Sequence, residues 1–151
     1  MIPIDMTEYS GEGTVGNCYQ CCLASILELP LEKVPHFYKF APRGHSETLI
    51  HAWLMSQGLG LLSLDVGKLP SFKQGYIGGG PVPQGFCILS GPGPRVKKLA
   101  DGTEKPIIHA VVGLAGRTIH DPHPSRAGLV AVDTIELLIA LHPERILGGR
   151  A

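Results

Sequence analysis

Two stretches of this chain, residues 18 to about 28 and about 47 to 57, run without glycine or proline, whereas those residues break most of the chain beyond them into short apolar runs. That uneven punctuation constrains the fold more than any other feature, because glycine and proline weaken helix interiors and concentrate in turns. In the first stretch Cys18, Cys21, Cys22, Ser25 and Leu29 recur at the spacing of one helical face, with Asn17 before it as N-cap and Pro30 after it as terminator. Most of that face is small, so such a helix can approach a sheet closely and is expected to be central and buried. The second stretch carries Leu49, Ile50, Trp53 and Leu54 as an apolar stripe, with His45 and Ser46 as cap and Gly58 as stop. Beyond it, residues 61–66, 86–90, 107–114, 118–120 and 129–132 read as strands, 114–117 as a turn, and 78–85 and 91–106 as loops, while 135–141, apolar nearly throughout, suits a helix or a final strand and is read as the strand. Helices first and an antiparallel sheet afterwards predict an α+β class, in one domain covering 1–151.

Charge excludes some partners. Lysine plus arginine and aspartate plus glutamate both number 13, so there is no electrostatic footprint for nucleic acid or an anionic membrane. Arg95, Lys97, Lys98 and Lys105 read as a solvated basic loop. The first basic residue is Lys33, and no apolar run approaches the length that spans a bilayer, so neither a secretory leader nor a membrane span is expected and the chain is placed in the cytoplasm. Cys18, Cys21 and Cys22 crowd together with only Cys87 elsewhere, which lacks the spread of a disulfide framework and favours reduced thiols. The oligomeric state is not legible.

Cys18 sits at the first turn of the first helix, where unpaired N–H groups and the positive end of the helix dipole favour a thiolate. His109 lies inside an apolar strand, a costly place for an unpartnered polar ring. Asp121 follows the next strand after a short turn, so antiparallel pairing returns it towards His109. A Cys18, His109 and Asp121 triad follows, with the carboxylate expected on Nδ1 of the ring and Nε2 turned to the thiol. Structural readings compete: Cys21, Cys22 and Cys87 read as small buried hydrophobes, and His36, His45, His51 and His142 as surface or cap residues. Cys18 and Cys21 also form a CxxC, the spacing of a thiol oxidoreductase. Cys18, Cys21, His120 and His123 have the residue types of a zinc site, but their spacing matches no known finger, and no metal or organic cofactor is expected.

Gly16-Asn17-Cys18 leading into a small-residue helix, His109-Ala110-Val111-Val112 in a strand, and His120-Asp121-Pro122 after the next one together resemble the papain-like cysteine peptidase superfamily. The likeness is nearest to compact bacterial and phage members related to the bacteriocin leader peptidases. It implies a nucleophile helix packed on an antiparallel sheet, and hydrolysis of a peptide or other amide bond through a thioester. Cys18 would be the nucleophile, His109 the base and then acid, and Asp121 the orienter. Many members place Gln six residues before the nucleophile, where this chain has Glu12. Either Glu12 is protonated or turned away, or the oxyanion donors are the Cys18 amide and a neighbour such as Asn17. A catalytically lapsed module of the same fold, binding a peptide or small ligand, is the alternative, with a CxxC oxidoreductase behind it.

Overall fold

The computed structural model describes residues 1–11, 14–41, 44–66, 76–77, 80–81 and 84–144. Helix α1 spans Cys18–Leu27 and α3 spans Ser46–Ser56, both within a residue or two of the glycine- and proline-free stretches, with a 3-10 turn at Leu31–Lys33 and a single-turn α2 at Phe37–Phe40 between them. Strands β1 (Leu59–Asp65), β4 (Phe86–Lys98), β5 (Glu104–Leu114), β6 (Arg117–His120) and β7 (Thr134–Ala140) form one antiparallel sheet in the order β1-β7-β4-β5-β6. Tyr76–Ile77 (β2) and Gly80–Pro81 (β3) pair separately as a short ladder. The α+β class is therefore observed. Among the described residues no helix is long and apolar enough to cross a membrane.

The sheet is covered on both faces. On one, Leu23, Ile50, Leu54 and Ile88 join Cys22, Ala110 and Val112 beneath α1 and α3. Full burial of each large apolar side chain there contributes about 1.5–3 kcal/mol. Alternate residues of the same strands, Cys87, Leu89 and Val111, meet Ile135 and Val66 on the other face, where Leu129 and Val132 close over them. Residues 129–132 are thus not a strand: they form a strap across the sheet, tied by the Val130 N–H to the Pro92 carbonyl and the Asp133 N–H to the Ser90 carbonyl, both at 2.8 Å. Their apolar pattern reflects lid contacts rather than a ladder.

A second departure is the supposed loop at 91–106, most of which is β4 and β5 continued as a hairpin that turns at 99–103. Pro92 and Pro94 are tolerated because β4 pairs with β7 only from Cys87 to Ser90; beyond that point β5 is its one strand neighbour, and the register shifts between Pro92 and Val96. Arg95, Lys97, Lys98 and Lys105 therefore stand on strands. Of the proposed loop at 78–85, only 80, 81, 84 and 85 fall among the described residues, with 80 and 81 in β3.

Candidate active site

Gly16 and Asn17 fix the start of α1. A Cβ on Gly16 would lie 2.9 Å from both the Met6 side chain and Ser10 Oγ, so only glycine lets the chain pass this closely beneath the N-terminal arm. The buried Asn17 then locks that arm: its Oδ1 accepts from the N–H groups of Thr7 at 3.2 Å and Glu8 at 3.1 Å, and its Nδ2 donates to Thr7 Oγ1 at 3.0 Å and Gln20 Oε1 at 3.2 Å. These bonds use both amide protons and both carbonyl lone pairs. Asn17 thus holds the N-cap position without a side-chain cap bond, and it has no donor left for an oxyanion, contrary to the sequence expectation. The other candidate, Glu12, lies outside the described residues. Asn17→Ala is expected to destabilise the fold by about 1–3 kcal/mol, because several partners lose their bonds at once; urea unfolding measures it, and an unchanged midpoint would contradict the locking role.

His109 sits in β5 opposite Gly91 of β4 and is 2% exposed. Its Nε2 lies 2.7 Å from Oδ1 of Asp121, itself 5% exposed. The same Oδ1 accepts the His123 N–H at 2.8 Å, and Oδ2 accepts the Gly128 N–H at 2.8 Å. Burial works to raise the Asp121 carboxyl, but the bond from His109 and those two backbone N–H groups together hold it below its ordinary value. An ionised carboxylate only accepts, so Nε2 carries the proton and Nδ1 is the nitrogen with a free lone pair in the neutral ring. This reverses the ring orientation expected from sequence. The register explains it: β6 pairs His120 with Val112, so Asp121 lies diagonal to His109 rather than opposite, and the far end of the ring has to span that offset.

Cys18 and His109 line one pocket of about 340 Å³. The thiol is met by the backbone N–H groups of Ala110, the residue after His109, and of Tyr19 and Cys18 itself. No hydrogen bond joins the thiol to the imidazole in this conformation. Burial pushes the Cys18 thiol up, and the three amides together with the charge of Arg95 oppose that without cancelling it. The low-pH thiolate expected from the helix dipole and a neighbouring imidazolium is therefore not what these surroundings favour.

His120 separates from the pair, whereas His123 lies against it. His120 Nε2 bonds the Ile4 carbonyl at 3.0 Å and lines a different pocket with Asp5 and Arg126. The His123 ring packs edge-on against His109, with centroids 6.2 Å apart, and its Nδ1 contacts Ser125 Oγ at 2.8 Å. Burial, followed by the charge of Arg95, lowers its pKa. Arg126 ties the loop to the N-terminal arm by donating to the Asp121 carbonyl and pairing with Asp5 at 2.7 Å. His36, expected as a surface or cap residue, stands at the N-cap of α2 and is buried against the Val15 carbonyl at 3.2 Å.

No family model, curated protein or solved structure matches this chain.

The cysteines are all free. Cys21 turns to the Asp5 carbonyl at 3.5 Å, and burial pushes its thiol up to about 12 and that of Cys87 up to about 11. Among the described residues no group of three or more His, Cys, Asp or Glu side chains is placed to hold a metal, so Cys18, Cys21, His120 and His123 do not converge. Sequence reading missed two parts of the site. Arg95, set aside as solvated, is half-buried, has a buried Nε without a hydrogen-bond partner, and acts electrostatically on Cys18 and His123. Glu136 and Tyr19 line the pocket beside Cys18. A single acid inside the apolar run of β7 was the available signal for Glu136; Arg95 carried none.

Proposed function

We propose that this protein is a thiol hydrolase with a papain-like Cys18, His109 and Asp121 centre, which cleaves a peptide or other amide bond. The observation that carries this reading is the pocket wall shared by a helix-initial cysteine and an imidazole whose other nitrogen is bonded to an ionised carboxylate. In the reaction, Cys18 Sγ attacks the amide carbonyl while its proton passes to Nδ1 of His109. The oxyanion is met by the Cys18 amide, which as a first-turn N–H has no carbonyl partner within its helix. His109 then delivers the proton to the departing amine as the C–N bond breaks, leaving a thioester. Water attacks the thioester, giving its proton to Nδ1, and the proton returns to the thiolate as the acid leaves. Asp121 holds the ring throughout and stabilises the imidazolium. The thiol and imidazole close into contact when substrate fills the pocket, a tightening common in sites of this kind.

Burial of the Cys18 thiol, and the absence of a bond from it to the ring, favour a second reading in which the same cleft binds a peptide or small ligand without turnover. One experiment separates the two. The protein is treated with iodoacetamide at neutral pH and peptide-mapped, and wild type and Cys18→Ala are assayed on a library of peptide and aryl amides. Labelling led by Cys18 with turnover lost in Cys18→Ala is the expected result. Labelling led by Cys21, Cys22 or Cys87 would remove the nucleophile assignment, and Cys18 labelling without any wild-type turnover would leave the binding module.

A further inference from the structure

The pocket that Cys18 and His109 share extends along the helix-covered face of the sheet to Tyr19, Glu47 and Glu136. Its charge is one-sided: Glu47 from α3 and Glu136 from β7 line it, and no lysine or arginine does among the described residues. Its depth is polar and poorly satisfied. Tyr19 is 4% exposed, and its hydroxyl and Glu136 Oε2 are both buried without a hydrogen bond of regular geometry, although the two groups act on each other. Exposed His51 acts on Glu136 through charge alone.

A buried acid oxygen and a buried hydroxyl that have only each other, without a regular hydrogen bond, are costly to a fold, and β7 has apolar residues on either side of Glu136. Nearer solvent, the pocket is flanked by apolar Val15 and Ile108, which are 45% and 63% exposed. An apolar flank leading to a buried carboxylate matches a group with an aliphatic stem and a cationic head. Burial pushes Tyr19 and Tyr38 up, so both hydroxyls stay protonated, and it pushes the Glu136 carboxyl up as well, so a cation entering beside Glu136 would be the partner that favours its charged form.

We propose that this pocket is the specificity subsite of the Cys18 centre, and that it selects substrates bearing an ammonium or guanidinium on an aliphatic stem next to the bond under attack. Glu136 is the residue that meets the cation, Glu47 adds to the field, and the Tyr19 hydroxyl completes the hydrogen bonds. The proposal rests on the reading of Cys18 as the nucleophile. A lysine or arginine side chain in a peptide and a free alkylammonium amide present the same chemistry.

The test uses Nα-capped lysyl, leucyl and glutamyl acyloxymethyl ketones, with the second-order rate of Cys18 alkylation read by mass spectrometry and iodoacetamide run alongside. In wild type the lysyl reagent is expected to exceed the leucyl one by about tenfold or more, with glutamyl slowest, and the ratio to fall towards one in Glu136→Gln. Because each ratio is taken within a single variant, a general loss of reactivity does not imitate the effect. Should Glu136→Gln fail to fold, Tyr19→Phe and Glu47→Gln carry the same comparison, each with a reduced ratio expected. Equal lysyl and leucyl rates in wild type, or an undiminished preference in the variants, would overturn the subsite while leaving Cys18 as nucleophile. Failure of all four reagents to label Cys18 would overturn the hydrolase reading itself. Alkylammonium and peptide amides, assayed side by side, tell the two substrate sources apart.

Discussion

Replacing His109 by alanine is expected to lower amide turnover at neutral pH by about two to four orders of magnitude, the usual contribution of a positioned general base and acid. Burial pushes the Cys18 thiol up, so without the ring the neutral-pH limb of the rate profile should vanish and alkylation of Cys18 should rise only in the alkaline range. A profile in His109→Ala that overlays wild type would dismiss the assignment, whereas His120→Ala is expected to leave its position unchanged, because that ring faces another pocket. Asp121→Asn extends the test. One oxygen of the amide can replace Oδ1, but its NH2 group would then oppose the Gly128 N–H that Oδ2 now accepts. The variant should therefore lose stability as well as turnover. Asp121 is held below its ordinary 3.8, so the stability it contributes is present above that value and is lost as pH falls through its lower folded value. Urea unfolding should accordingly show a gap between wild type and Asp121→Asn at neutral pH that narrows in strong acid.

Gly91→Ala is expected to cost about 3 kcal/mol, at the upper end of overpacking penalties, and roughly 6–12 °C of Tm. A Cβ there would stand 2.2 Å from the Ala131 carbonyl oxygen and 3.1 Å from the Asp133 nitrogen, backbone atoms of the strap and of the residue that ends it. The strap cannot give way locally. Asp133 bonds Ser90 and receives the Val66 N–H, while Gly128, just before the strap, supplies the N–H that holds Asp121. Displacing it should loosen the His109 ring and lower turnover with stability. Gly85→Ala, with nothing within 4 Å of its added Cβ, is the control expected to change stability by no more than about 0.5 kcal/mol. Thermal unfolding of the two variants decides the matter; equal midpoints would show that the strap yields freely.

Local chemistry made much of this molecule legible from its sequence. The glycine- and proline-free stretches fixed α1 and α3, short apolar runs located β1, the start of β4, β5 and β6, and the polar His109 within an apolar run, followed by Asp121 beyond the next strand, foretold their pairing. These features depend on the preferences of a residue and its near neighbours, which a sequence states directly.

Other features depended on what lies across the fold. Pro92 and Pro94 read as loop residues until the short reach of β7 leaves β4 without that neighbour beyond Ser90. Residues 129–132 read as a strand until they are seen closing over the second face of the sheet. Asn17 reads as a cap and donor until the N-terminal arm and Gln20 between them consume every bond its side chain can make. The orientation of the His109 ring follows from a register offset between β5 and β6, and Tyr19 and Glu136 meet, without a regular hydrogen bond, only because α1 lies against the sheet. Sequence determined which groups were present and on which elements they stand. Only tertiary structure decided which of their hydrogen bonds were already taken and which remained for chemistry, because a polar group's freedom is set by partners far away along the chain.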